Sequence, residues 1–185
     1  GGETVFEQGS RRLRVRADEC ETRRLDRRRG EQVVAPVLLA AGDLQVTGAS
    51  LDLTGSDNAA QNITLRATNG DANLADATVD AAQKLTVAAS QTLRSDNAQL
   101  SGQSLQLAAH DLSNHNGEIV QLGKGDLAID LPGTLDNDNG RIASNGANLS
   151  LKAGQLSNRS GKLEHAGQGR LKVQADTLQA AGGSM

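Results

Sequence analysis

The chain has 185 residues with 21 glycines, 2 prolines and one aromatic residue, Phe6, so a core built on bulky rings is excluded and any core must be aliphatic. The formal net charge of -3 argues against a nucleic-acid-binding protein, which needs a basic surface. The single cysteine, Cys20, excludes an internal disulfide, and no segment approaches the roughly 18 apolar residues of a membrane span.

Residues 1–42 contain nine arginines and seven acidic residues, including the runs RRLRVR and RRR. This mixed-charge segment matches no part of the repeat that follows, and it predicts a short solvated helix or a disordered tail. A further hypothesis is that it is not native repeat sequence, for instance a misjoined or frame-shifted start. The beginning of the chain has no basic segment followed by an apolar run and a cleavage site, so we expect any export signal to lie outside it.

From residue 43 onward, apolar residues recur with a period of about 20–22 residues, in three series. The first series consists of apolar-x-apolar pairs at Ile63 and Leu65, Leu85 and Val87, Leu105 and Leu107, Leu127 and Ile129, Leu149 and Leu151, and Leu171 and Val173. The second comprises Leu93, Leu112, Leu135, Leu156 and Leu178, with Leu74 as a looser equivalent. The third comprises Val79, Leu100, Ile119, Ile142 and Leu163.

Within each repeat the apolar residues alternate with period two, which is typical of a short strand and not of a helix. Asn, Gly, Asp and Ser separate these segments and are typical of turns. One repeat cannot close a core alone, but it can wind once around an axis and stack on its neighbours. We therefore predict an all-β fold, a right-handed parallel β-helix of about six coils over residues 43–185, preceded by the Arg-rich segment. At about 4.8 Å per coil, the rod is roughly 30 Å long.

An asparagine recurs at one predicted corner and is followed three residues later by a glycine. Asparagine tolerates left-handed backbone angles, and its amide can both donate and accept along a ladder of identical neighbours. Glycine supplies a positive-φ turn. We predict a structural ladder with such turns, formed by Asn114, Asn137, Asn158, Gly117, Gly140 and Gly161.

Residue patterns that carry chemistry are missing from the repeat region. The three histidines fall in different turns without carboxylates or thiols at metal-ligand spacing, and no Gly-x-Ser-x-Gly nucleophile motif is present. We predict no catalytic, cofactor-binding or metal-binding residue, no cofactor and no enzyme activity. The tripeptide Lys124, Gly125 and Asp126 is similar to integrin-binding sequences, and we regard it as a candidate adhesive turn.

The motif Leu-x-Leu-x-Ala-x-x-Leu-x-Asn-x-x-Gly-x-Leu, which is clearest at residues 149–163, resembles the haemagglutinin repeat of filamentous haemagglutinin and related adhesins. The resemblance covers about residues 43–185. It implies a bacterial exoprotein, secreted or held at the cell surface, that passes through the outer-membrane barrel of a two-partner secretion system. It also implies that the repeat is a shaft, whose parent protein binds a receptor or glycan on a host or neighbouring cell.

The expected function is therefore extension and display in a large surface adhesin. The first alternative is the shaft of a contact-dependent growth inhibition toxin, a related class in which the shaft carries a C-terminal toxin. A more distant alternative is a polysaccharide-acting β-helical enzyme, which would release sugar fragments and usually has clustered charged residues and aromatic sugar platforms. An independent ligand-binding domain would need a pocket that this composition does not suggest.

Overall fold

The computed structural model describes residues 2–8, 11–17, 20–22 and 37–185, and every regular element in these ranges is a β-strand. In the described residues there is no helix that is long and apolar enough to cross a membrane. The strands are β1 Gly2–Gln8, β2 Arg11–Ala17, β3 Cys20–Thr22, β4 Val37–Ala40, β5 Asp43–Gly48, β6 Leu51–Asp52, β7 Asp57–Ala67, β8 Ala72–Asn73, β9 Thr78–Ala89, β10 Thr92–Arg94, β11 Gln99–Ala108, β12 Asp111–Ser113, β13 Glu118–Gln121, β14 Leu127–Asp136, β15 Arg141–Ser144, β16 Leu149–Ser157, β17 Lys162–His165 and β18 Leu171–Gln179.

Parallel pairing winds residues 37–185 into a β-solenoid of seven coils, which confirms the predicted parallel β-helix. The coils are 37–56, 57–77, 78–98, 99–117, 118–140, 141–161 and 162–183. Each coil contributes one segment to each of three stacks, which we call the first, second and third face. The first face is formed by 37–40, 57–60, 78–81, 99–102, 118–121, 141–144 and 162–165. The second face is formed by 43–48, 62–67, 84–89, 104–108, 127–131, 149–153 and 171–175, and the third by 51–52, 72–73, 92–94, 111–113, 134–136, 155–157 and 177–179.

The core consists of aliphatic columns that run through these faces. On the first face, pairing register stacks Val79, Leu100, Ile119, Ile142 and Leu163, and all five are at most 1% exposed. Burying one such side chain stabilises the fold by about 1.5–3 kcal/mol. In the seventh coil, Leu171 and Val173 are only half-buried and Leu178 is 50% exposed.

The structure differs from the sequence analysis in coil count and in one register position. Seven coils are present and not six, because the first coil already begins at Val37 and its apolar pair is Leu44 and Val46. The residue paired with Leu93 is Ala72, whereas Leu74 lies one pleat further along the chain. The longer loop before Ala72 displaces the apolar spacing in the second coil.

In residues 1–42, the described ranges 2–8, 11–17, 20–22 and 37–40 are strands, in place of the helix or disordered tail expected there. Strand β2 pairs antiparallel with both β1 and β5, and β3 pairs antiparallel with β4, so these strands flank the first coil. The sequence gives a reason, because Leu13 and Val15 alternate with arginines at the period of a strand. Residues 1, 9–10, 18–19 and 23–36, to which the same expectation applied, lie outside the described residues.

The corner between the first and second faces changes along the rod. It contains one or two residues in each of the first four coils. In the last three coils it widens into three stacked loops, which we call the corner ridge and define as residues 122–126, 145–148 and 166–170. The candidate adhesive tripeptide lies in the first of these loops.

Candidate functional site

The predicted ladder residues lie at the corner between the third face and the first face of the next coil. In every coil this corner is a tight turn in which the N–H of one residue donates to the carbonyl three residues earlier, at 3.0–3.3 Å. The paired positions are Leu53 and Ser56, Leu74 and Ala77, Ser95 and Ala98, Asn114 and Gly117, Asn137 and Gly140, Asn158 and Gly161, and Ala180 and Gly183.

The three asparagines form one buried column. The Nδ2 group of Asn114 donates to Oδ1 of Asn137, and Nδ2 of Asn137 donates to Oδ1 of Asn158, each at 2.7 Å. All three side chains are 0% exposed. Sequence reasoning missed the start of the column, where the buried hydroxyl of Ser95 donates to Oδ1 of Asn114 at 3.0 Å. Such a buried network is stabilising because its polar groups find partners.

The predicted role of the glycines needs correction, because their own backbone is not in the positive-φ region. Positive φ occurs one residue earlier in each turn, at Asn116, Asn139 and Ser160, with values of 53°, 56° and 53°. Glycine is required because a side chain at this position would collide with the backbone of the preceding coil. A Cβ on Gly140 would lie 2.1 Å from the carbonyl oxygen of Asn114 in the preceding coil, and 2.7 Å from Oδ1 of Asn137. At the other two predicted glycines, Gly117 and Gly161, an added Cβ would likewise lie 2.1 Å from a carbonyl oxygen of the preceding coil.

The candidate adhesive tripeptide is exposed on the corner ridge, and part of it holds neighbouring loops together. Oδ1 of Asp126 accepts from both the backbone N–H and the Nδ2 group of Asn148, each at 3.0 Å. Oδ1 of Asn148 in turn accepts from the N–H of Arg170 at 3.0 Å. Lys124 and Gly125 are exposed to solvent. The turn therefore offers an accessible lysine, while one oxygen of the Asp126 carboxylate serves the stacking of coils.

A second carboxylate, Asp111, links the fourth and fifth coils. Its Oδ1 accepts from the N–H of Thr134 at 2.6 Å, and its Oδ2 lies 2.9 Å from Nδ1 of the exposed His110. The hydrogen bond from Thr134 and, to a smaller extent, the one to His110 lower the pKa of Asp111, because both favour the charged form.

Asp138 makes the equivalent link between the fifth and sixth coils. Its Oδ1 accepts from the Ser157 hydroxyl at 2.6 Å and from the N–H of Arg159 at 2.8 Å. Burial raises the pKa of Asp138, but these two hydrogen bonds, together with the charges of Arg159 and His115, outweigh burial and leave the pKa below its usual value. Carboxylates thus accept backbone N–H groups from the following coil at several corners.

The third histidine, His165, lies in the last coil with Nε2 about 3.0–3.1 Å from the carbonyl oxygens of Gly146 and Ala147. In the ranges that the structure describes, no three His, Cys, Asp or Glu residues are grouped so that they could hold a metal ion.

A surface groove of about 590 Å³ runs across the first three coils, at the corner between the second and third faces. Sequence reasoning did not anticipate it, because its lining comes from three separate segments of the chain, within residues 49–52, 69–73 and 91–94. Carboxylates, amides and one guanidinium line the groove, and no aromatic side chain contributes to it. The main polar lining residues are Ser50, Asp52, Asn69, Asp71, Asn73 and Arg94.

Comparison with known proteins gives one family and one similar relative. The family model described as haemagglutinin repeat matches residues 10–124 and 120–184, so the match begins 33 residues before the predicted boundary at 43. Toxin CdiA of Yersinia pestis is 46% identical over 108 residues, which is 58% of this chain. The matched part is about 3% of that much longer protein. No solved structure matches the chain.

Proposed function

Because this chain belongs to the haemagglutinin-repeat family, we propose that its solenoid is a section of the shaft of a much longer surface exoprotein, and that it extends and displays adhesive regions carried elsewhere. The shaft is expected to pass through the outer-membrane barrel of a two-partner system and to act outside the cell, where its parent meets a receptor or glycan on another cell.

The observation that carries this proposal is the stacking of coils along one axis. Glu118, Arg141 and Lys162 occupy equivalent positions in three successive coils, so these coils stack in register. Side chains also bridge successive coils on the surface, since the Arg141 guanidinium contacts carboxylates of both Glu118 and Glu164. Each coil stacks on its neighbours and adds about 4.8 Å of length, which is the geometry of a spacer.

A deletion series in the full-length parent tests the shaft function. Removing residues 141–161 deletes one complete coil, because Arg141 and Lys162 occupy equivalent positions. We expect secretion, surface display and cell attachment to persist, with a rod shortened by about 4.8 Å. Removing only residues 141–151 should abolish folding, because it moves inward-facing residues out of their columns. Loss of attachment after the whole-coil deletion, with secretion and display retained, would show that this coil makes a specific contact and would overturn the spacer proposal.

The similarity to Toxin CdiA supports a second candidate, the shaft of an exoprotein that delivers a growth-inhibiting toxin to neighbouring bacteria. The two parents differ in what the displayed end does. Co-culture of cells that carry the parent gene with susceptible bacteria distinguishes them: contact-dependent inhibition supports the toxin parent, whereas adhesion to host cells without inhibition supports the adhesin.

For the exposed tripeptide we propose a role in cell attachment, which is separate from the shaft function. The variant Asp126→Asn tests it sharply, because an asparagine retains an acceptor for the backbone N–H of Asn148 while losing the negative charge. Lys124→Ala is a second test, since this side chain is exposed. We expect both variants of the parent to attach less while melting at the temperature of the wild type. Unchanged attachment in both would contradict the adhesive role.

A further inference from the structure

The second face is interrupted between the fourth and fifth coils. Segment 104–108 pairs with 84–88 of the preceding coil, and segment 127–131 pairs with 149–153 of the following coil. Within the described residues, segments 104–108 and 127–131 are not paired with each other. The first and third faces continue across the same boundary, where Leu100 pairs with Ile119 and Leu112 pairs with Leu135.

A side chain replaces the missing backbone partner. In the next two coils, the N–H of Leu127 donates to the Asn148 carbonyl at 2.9 Å, and that of Leu149 donates to the Arg170 carbonyl at 3.0 Å. The equivalent N–H of Leu105 donates instead to Oε1 of Gln121 at 3.1 Å. A backbone-to-backbone bond between coils has thus become a backbone-to-side-chain bond at this boundary.

Gln121 connects both sides of the interruption. Its Nε2 group donates to the Gly125 carbonyl at 2.6 Å, in the first loop of the corner ridge, and its side chain is 0% exposed. The residues stacked before it on the first face are Ala81 and Gly102, which have no side-chain group that could accept a hydrogen bond. Gln121 is therefore a buried polar residue with both amide groups satisfied, at the point where the corner widens.

Burial is less complete on the fourth-coil side of the interrupted face than on the fifth-coil side, where Leu127 and Ile129 are both 1% exposed. Leu105 and Leu107 are 4% and 7% exposed, whereas Leu85 and Val87, their partners in the third coil, are both 0% exposed. The difference is small, but it falls on both inward residues of segment 104–108, which pairs with the preceding coil and not with segment 127–131 of the following one.

We propose that the boundary between the fourth and fifth coils is a joint in the solenoid, held closed by the side chain of Gln121. Residues 37–117 and 118–185 are then two cooperative units that open separately when this bridge is removed. The biological meaning of the joint, a flexible point in a rod, rests on the proposed shaft function. The joint itself does not, because it is tested on the folded chain alone.

Amide hydrogen exchange of the wild-type chain gives the first test. The Leu105 amide is bonded to one side chain, whereas the Leu127 and Leu149 amides are part of the backbone hydrogen bonding between coils. We expect Leu105 to exchange about five- to tenfold faster than either. Equal protection of all three amides would overturn the joint, and this measurement needs no variant that could fail to fold.

The variant Gln121→Met tests the bridge, because methionine keeps the volume and removes both hydrogen bonds. Ser144→Ala is the matched control: Ser144 is buried at the same first-face position one coil later, and its hydroxyl accepts the N–H of Gly146. In Gln121→Met we expect a further five- to tenfold acceleration at Leu105 and separate opening of the two units in mild denaturant. Opening of all coils as one unit in both variants would refute the joint. The proposed shaft function would not be affected, because it is tested separately by the coil deletions in the parent protein.

Discussion

Asn137 is the middle residue of the asparagine ladder, so its replacement tests whether the buried column holds the coils together. Leucine is the informative replacement, because Leu53 and Leu74 occupy the same stack in the first two coils and show that the corner accommodates this side chain. In Asn137→Leu the volume is retained and the amide is lost.

The cost follows from the contacts. The Oδ1 of Asn158 loses its Nδ2 donor, and a buried acceptor without a partner costs about 1–3 kcal/mol. Asn114 loses its shortest acceptor, for about 0.5–1.5 kcal/mol more, although its Nδ2 keeps the Gly117 carbonyl at 3.2 Å. Together the two losses cost about 1.5–4.5 kcal/mol. With a urea m-value of about 2 kcal/mol/M, the unfolding midpoint should fall by about 0.8–2.2 M.

The assay is urea unfolding followed by far-ultraviolet circular dichroism. Asn145→Ala is the control, because Asn145 is exposed in the same coil as Asn158 and its replacement should change stability by less than about 0.5 kcal/mol. The double variant with Asn158→Leu should lose less than the sum of the single variants, since no orphaned acceptor remains. A midpoint for Asn137→Leu that equals the control's would refute the reasoning that the ladder stabilises the fold.

The other predictions concern the turns and the carboxylates. Gly140→Ala should destabilise the fold by about 1–3 kcal/mol through the clash with the preceding coil, whereas Gly125→Ala, whose added methyl meets nothing within 4 Å, should be nearly neutral; equal melting temperatures would contradict the packing role. Because the pKa values of Asp111 and Asp138 are lowered in the folded state, their stabilisation is complete above the unfolded-state pKa of about 3.9 and is lost as the pH falls through the folded-state values. Urea midpoints should therefore drop in acid, and the drop should shrink when both residues are changed to asparagine; an unchanged pH profile would exclude them as its source. Ser160→Asn should raise the free energy of unfolding by up to about 1 kcal/mol, and with it the melting temperature, because asparagine tolerates the φ of 53° better than serine does. A lower melting temperature would exclude backbone strain there.

The sequence was sufficient for the fold because stacked coils repeat in structure and in residue type together. A column such as Val79, Leu100 and Ile119 is visible in the sequence as a regular spacing of apolar residues. Where a loop changes length, spacing alone fails: it places Leu74 where pairing register puts Ala72. Register is set by hydrogen bonds between coils, and the sequence shows it only indirectly.

The ladder corner shows a different limit. Glycine meets two physical needs, positive φ and close approach of another backbone, and the sequence does not say which need applies. Only the 2.1 Å distance from a Gly140 Cβ to the Asn114 carbonyl identifies close approach. The positive φ belongs to the preceding residue, Asn139, for which asparagine itself was the available signal.

The interruption beside Gln121 was hidden for a related reason. Leu105 and Leu127 are 22 residues apart, the same spacing that separates Leu127 from the paired Leu149, so periodicity reports a continuous face where pairing is absent. Equal spacing fixes how much chain a coil contains, but not at which corner the extra residues lie. The first and third faces keep their register across the boundary, and the wider loop falls between them and displaces only the second face. One available signal was a long polar residue, Gln121, at a first-face position that holds glycine or alanine in the coils before it, because a buried amide there requires partners that a regular corner does not supply.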